Sequence, residues 1–218
     1  MRIIKQSFSF VESVPISGSL VLYQLERIGR TCYKSENRIT DDSARFFVAK
    51  LIKAGHTSVL EHVSVTVRII TNRGVSHELV RHRIASYSQE STRWCDYGKE
   101  GSITVILPVW LSFGKDTDSE ASLAWEHAMK NAEVAYFTLR RLGWGAEKAR
   151  GVLPNDLKTE IVMTANLREW RLIFGQRCAK NAHPQMRLLM QEILLNFRDR
   201  FPVIFDDLDY EGQIICEP

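Results

Sequence analysis

Val63-Ser64-Val65-Thr66-Val67-Arg68-Ile69-Ile70 alternates without a break, with Val63, Val65, Val67 and Ile69 on one side and Ser64, Thr66 and Arg68 on the other. A period of two marks an extended strand with one apolar face and one wet face. Upstream, Asp41 and Asp42 precede the apolar-periodic run Phe46, Phe47, Val48, Leu51 and Ile52, which stops at Gly55. An acidic N-cap, helical spacing and a terminal glycine predict a helix that leaves His56 in the following loop. Downstream, Asn72-Arg73-Gly74 predicts a turn. Ser76 then caps a short helix with Glu78 in its first turn, where the helix dipole favours a carboxylate.

Farther out, Ile103 to Leu107 predicts a second strand closed by Pro108, and Ser119 to Leu142 a long helix with apolar positions Ala121, Leu123, Ala124, Ala128, Ala132 and Leu139. His127 on that helix reads as structural or solvent-facing. A short helical stretch spans Ala146 to Arg150, a strand Lys158 to Thr164, and helices Leu167 to Cys178 and Pro184 to Phe201, with Pro184 suited to a first helical position. Asp96 to Ser102 and Phe113 to Ser119 read as loops. The mixture is α+β. With 218 residues, no repeat and no Pro/Gly/Ser-rich linker, residues 1–218 are expected to form one domain.

A hydrophobic content of 44% with 25% charged residues belongs to a folded chain, not a disordered one. No apolar stretch approaches the ~20 residues of a membrane span. Met1 to Ser7 lacks the apolar core of a secretory signal, so a cytoplasmic protein with no membrane partner is expected. A net charge of +3 is too small to suggest a nucleic-acid surface. Cys32, Cys95, Cys178 and Cys216 form no C-x-x-C pair and read as reduced thiols. His77 and His82 are five positions apart, about 140° around a helix, so they do not form the i, i+4 metal pair of an H-E-x-x-H helix, and no metal is expected.

Chemistry concentrates in Arg81-His82-Arg83-Ile84-Ala85-Ser86-Tyr87-Ser88-Gln89-Glu90-Ser91-Thr92-Arg93-Trp94. Three guanidiniums and three serine hydroxyls in fourteen residues suit an anionic ligand such as a phosphate. Interleaved Ile84, Ala85, Tyr87 and Trp94 predict a half-buried segment whose arginines need anionic partners, either a ligand or protein carboxylates. On a continuing helix Arg81 and Arg83 would diverge by about 200°. Either the helix ends there or the two serve different ligands.

Arg81-His82-Arg83, seven residues and then Ser91 resembles the motif of the flavin-dependent thymidylate synthases. Gly55-His56-Thr57-Ser58-Val59-Leu60-Glu61-His62 is similar to that family's upstream histidine segment. Thr164-Ala165-Asn166-Leu167-Arg168-Glu169-Trp170 with Arg177 is similar to its downstream Asn/Arg segment. The resemblance runs from about Arg30 to Phe205 and implies a single domain with an antiparallel sheet flanked by helices. It also implies a homotetramer with active sites between subunits, in which neighbouring residues of the motif touch flavin and nucleotide, so that Arg81 and Arg83 are expected to serve different ligands. The implied reaction is methylation of dUMP at C5 to give dTMP, with 5,10-methylenetetrahydrofolate as carbon donor, FAD reduced by NADPH as hydride carrier, and no cysteine nucleophile.

Carried over position by position, the resemblance makes Glu78, Arg81, Gln89, Ser91, Arg93, Arg150 and Arg177 contacts for dUMP, with Ser91, Arg93 and Arg150 at its phosphate and Arg177 the catalytic activator. His56, Ser58, Arg81, His82, Arg83, Gln89, Asn166, Leu167, Arg168 and Leu172 become contacts for FAD, Leu167 and Leu172 as main-chain or packing neighbours. Glu78 stands where many relatives carry glutamine and, when ionised, cannot donate to a nucleotide carbonyl. The chain has no G-x-G-x-x-G loop, so FAD enters only through the resemblance.

Overall fold

The computed structural model describes residues 1–11, 17–112 and 120–214. In chain order the elements are β1 (Arg2–Ile4), β2 (Ser7–Phe10), α1 (Gly18–Thr31), a 3-10 turn (Glu36–Arg38), α2 (Ser43–Lys53), a 3-10 helix (Thr57–His62), β3 (Ser64–Asn72) and α3 (Arg73–Leu79). There follow β4 (Ala85–Gln89), α4 (Tyr97–Glu100), β5 (Thr104–Ile106), α5 (Val109–Ser112), α6 (Glu120–Arg141), α7 (Ala146–Ala149), a 3-10 turn (Arg150–Val152), β6 (Lys158–Asn166), α8 (Leu167–Arg177) and α9 (Pro184–Arg200). The fold is α+β. Its main sheet has four strands in the order β2-β3-β6-β4. Thr66 meets Thr164 and Arg68 meets Glu160, so β3 and β6 run antiparallel. A second, two-stranded sheet pairs β1 with β5 in parallel, Arg2 opposite Thr104.

The predicted strand is β3, with Val65, Val67 and Ile69 fully buried. α2 closes as its glycine predicts. Gly55 adopts φ 74°, its N–H donates to the Ile52 carbonyl at 3.0 Å, and the His56 N–H donates to the Leu51 carbonyl at 2.8 Å. That pair of bonds is the Schellman closure, and it sets His56 at the head of the next turn. α9 begins at Pro184 as predicted, with His183 accepting from the Gln185 N–H.

Contacts divide the chain into two compact units. The first comprises 1–9, 68–82 and 87–163. Its core joins Tyr97, Ile103, Val105, Met129, Tyr136, Ala149 and Leu157. The second comprises 10–67, 83–86 and 164–218. Its centre is aromatic: Trp170, Phe174, Phe197 and Phe205 stack and tilt with ring centroids between 4.9 and 5.7 Å apart. The buried Trp170 indole donates to the Val65 carbonyl at 3.1 Å.

Several expectations are corrected. Asn72-Arg73-Gly74 is not a turn: β3 passes directly into α3, with the Asn72 side chain accepting from the Val75 N–H at 2.8 Å as the true N-cap. Ser76 therefore lies inside the helix, its hydroxyl on the Arg73 carbonyl, and Glu78 sits in the last turn instead of the first. α3 ends before Arg81, so the helical divergence does not constrain Arg81 and Arg83, and the helix end leaves open which ligands the two serve. α6 buries Met129 and Tyr136, whereas Ala121, Leu123, Ala124 and Ala128 face water, because the larger side chains take the core face. The stretch 96–102 contains the helical turn α4, while the expected loop 113–119 lies outside the described residues. Ala85 and Tyr87 are partly buried as expected, but Ile84 and Trp94 are 68% and 81% exposed. The sequence reading left β1, β2, α1 and β4 unassigned.

Candidate functional site

In the first unit, the Tyr87 hydroxyl lies 2.7 Å from the Leu79 carbonyl and 2.8 Å from the His82 carbonyl. One phenol on β4 thus ties down the turn that leaves α3, fixing Arg81 on the surface and His82 in a buried position. Gln89, two residues on, donates from its amide nitrogen to Ser76 Oγ at 2.9 Å and Thr159 Oγ1 at 3.1 Å. Both donors serve the protein, which leaves the Gln89 carbonyl as the group to face a ligand. Tyr87 was read from the sequence only as a half-buried side chain and Thr159 not at all, although the Tyr87/Gln89 alternation carried the signal.

Beyond β4 the chain turns on Ser91: its Oγ accepts the Arg93 N–H at 3.3 Å and its carbonyl the Cys95 N–H at 2.8 Å. Arg150, far along the sequence, places Nη1 3.2 Å from the Oγ1 of buried Thr92. The structure therefore brings Ser91, Arg93 and Arg150 to one place in this unit. The Arg93 guanidinium is exposed and makes no ion pair among the described residues. Behind this turn, Glu90 accepts from the Tyr97 hydroxyl at 2.9 Å and from Lys158 Nζ at 2.7 Å, and burial together with the Glu90 charge raises the Tyr97 phenol well above its ordinary range. Arg140 grips both Asp96 oxygens, at 3.1 and 2.5 Å, and holds that carboxyl below its ordinary value.

In the second unit, His56 and Ser58 are exposed at the start of the Thr57–His62 turn. Arg168 pairs with Glu61, which joins this turn to α8 and sets the predicted histidine segment beside the Asn/Arg segment. Asn166 caps α8 through Oδ1, which accepts the Glu169 N–H at 2.8 Å, so its amide nitrogen is the part left for a ligand. Leu167 is wholly buried and its N–H donates to the Val63 carbonyl at 2.9 Å, giving it a packing role. Leu172 is half exposed, and Arg177 is half-buried in the last turn of α8. Arg83 is exposed and also belongs to this unit, whereas Glu78, Arg81 and His82 belong to the first.

Cys178, next to Arg177, is buried, and burial pushes its thiol up to about 12, so it stays protonated at neutral pH. A cleft of about 970 Å³ lies in the second unit between the end of α1, the Glu36–Arg38 turn and α2, with His56 among its lining residues. Its other lining residues were not expected at a site; Asp42, Phe46, Phe47 and Leu51 were read only as parts of a helix.

The family model described as "Thymidylate synthase complementing protein" matches residues 23–203. A flavin-dependent thymidylate synthase of Geobacter sulfurreducens is 38% identical over 185 residues, 82% of this chain and 78% of that protein. One from Mycolicibacterium vanbaalenii is 34% identical across 95% of this chain and 88% of its own length. Among solved structures, a UMP/dUMP methylase PolB from Streptomyces cacaoi bound with 5-Br dUMP has the same fold, with a TM-score of 0.77 at 20% identity over 94% of this chain and 96% of that one. The chain belongs to the flavin-dependent thymidylate synthase family.

Proposed function

We propose that the chain methylates dUMP to dTMP, taking the carbon from 5,10-methylenetetrahydrofolate and the hydride from FAD that NADPH has reduced. The observation that carries the reading is the meeting of Ser91, Arg93 and Arg150. Two arginines and a hydroxyl brought to one turn, with no carboxylate on Arg93 among the described residues, suit the three oxygens of a nucleotide phosphate. Arg81, Gln89 and Glu78 extend this side toward the base. Gln89 offers its carbonyl to a pyrimidine N–H, since its amide donors are spent internally.

Arg177 is the activating group in this reading. A guanidinium at the uracil N3–C4 edge stabilises negative charge on the ring and raises electron density at C5, the atom that takes the methylene carbon. The exposed donors His56, Ser58, Arg83 and Arg168, with the Asn166 amide nitrogen, fit the diphosphate and ring edge of FAD; Arg81 and His82 are assigned to it as well. FAD, when bound, supplies the hydride chemistry that no side chain here can perform. Leu167 and Leu172 pack beside it. One domain and a homotetramer with shared active sites complete the reading.

The test is anaerobic turnover. Purified protein loaded with FAD and given NADPH, methylenetetrahydrofolate and dUMP is expected to make dTMP. Flavin binding without dTMP, or faster methylation of UMP than of dUMP, would overturn the substrate assignment.

A further inference from the structure

The cleft in the second unit has a built wall that the reaction as described does not use. Its volume of about 970 Å³ is that of a small-molecule site. Arg30 is neutralised from behind: buried Glu26 accepts from its Nε at 2.8 Å and its Nη2 at 2.6 Å, while the guanidinium lies 4.6 Å from the Phe47 ring centroid. Lys34, in the link after α1, Arg38, on the Glu36–Arg38 turn, and Lys50, on α2, also line the cleft, and none makes an ion pair among the described residues. Asp42 is the acidic member of the lining. The Phe46 ring, 74% exposed, and the Tyr33 ring present uncovered aromatic surface, and the Tyr33 hydroxyl lies 3.5 Å from His56 Nδ1.

The backbone supplies a second observation. α1 closes with the same two bonds as α2, Lys34 N–H to the Thr31 carbonyl and Ser35 N–H to the Arg30 carbonyl. At the equivalent position α2 has Gly55, whereas α1 has Lys34 at φ 46°. That left-handed conformation suits glycine and strains a lysine. Strain kept at the lip of a cleft points to work done by the side chain.

We propose that this cleft binds the p-aminobenzoyl-glutamate end of the folate co-substrate, with its aromatic ring against Phe46 and Tyr33 and its chain of carboxylates along Lys34, Arg38 and Lys50. The proposal rests on the reading of the chain as a folate-using synthase. Cations spread over three segments of the chain match carboxylates spaced along a γ-glutamyl chain. A dinucleotide diphosphate calls instead for convergent donors such as a glycine-rich turn or a helix N-terminus. His56, assigned to the flavin, is itself among the lining residues, so the neutral pteridine is left to reach the flavin.

The probe is p-aminobenzoyl-pentaglutamate, titrated calorimetrically into the FAD-loaded protein, so that binding is read without turnover. Binding that weakens with salt is expected, as is a further loss of about tenfold or more in Lys34→Ala/Lys50→Ala, with Lys130→Ala, a surface lysine outside the cleft, unchanged. Lys34→Gly is the decisive variant: it is expected to raise Tm by relieving the backbone while weakening the probe, whereas a purely structural lysine would leave binding alone. In turnover, the parent is expected to show a lower KM for pentaglutamyl than for monoglutamyl methylenetetrahydrofolate, and that difference is expected to disappear in the same variants. Probe binding that survives in the variants, no binding to the parent protein, or a selective loss of NADPH instead would each overturn the proposal. A parent protein that binds the probe yet makes no dTMP would overturn the synthase reading and leave the cleft assignment standing.

Discussion

At the scale of single residues, the site separates groups that touch ligand from groups that hold them. Arg177→Lys keeps the charge but loses the planar fork, so kcat is expected to fall about a hundredfold or more, with FAD still bound by its absorbance. A kcat within a few-fold of the parent's would remove Arg177 from the chemistry. Tyr87 belongs to the second kind. Tyr87→Phe deletes the hydroxyl that spans the Leu79 and His82 carbonyls, at a cost of about 1 kcal/mol in stability. The variant is also expected to raise the dUMP KM while sparing kcat, because the Arg81 turn loosens without loss of any ligand contact; steady-state kinetics beside a denaturation curve would show both. The motif arginines were legible in the sequence because their chemistry is local and their spacing matches a family. Tyr87, Thr92 and Glu90 were not, since each acquires its role only from partners that folding brings near.

At the scale of elements, the same distinction explains what the sequence could and could not tell. β3 and α2 announce themselves by strict periodicity and by Gly55, features contained in the segment itself. β1 and β2 are three and four residues long and owe their strand character to the strands beside them. β4 reads as a polar ligand-binding run, and only its place beside β6 makes it a strand. α6 misled because its alanines suggest an apolar stripe, whereas Met129 and Tyr136 win the core. α6 also carries Arg140, whose hold on Asp96 anchors the segment following Arg93. Since the hydrogen bonds from Arg140 hold the Asp96 carboxyl below its ordinary value, the stability it lends is present above the ordinary aspartate range and is lost as pH falls through the lower folded value. Thermal melts from pH 6 to pH 2.5 are expected to show this loss in the parent and a flatter acid limb in Asp96→Asn; parallel curves would remove the pair from the account.

At the scale of the whole molecule, the proposed phosphate residues belong to one compact unit and Arg177 to the other. If active sites are shared within a homotetramer, inactive Arg93→Ala and Arg177→Ala proteins are expected to regain dTMP formation when their subunits are exchanged, and no recovery would confine each site to one subunit. No helix among the described residues is long and apolar enough to cross a membrane. The last described stretch of the chain has a consequence in time. Asp207 pairs with Arg171, the Gln213 amide donates to the Gly175 carbonyl at 3.0 Å, and Gly212, at φ 74°, lies so near the Phe174 carbonyl that a β-carbon there would come within 2.2 Å of its oxygen. These contacts splint the helix that carries Arg177, yet they come from residues 207–213, which a ribosome adds after every member of the aromatic centre. A nascent chain must therefore hold its aromatic centre together before its activating arginine is braced. Chains arrested after residue 206 are expected to show native tryptophan burial but heightened protease sensitivity within α8, a state that full-length synthesis passes through and leaves.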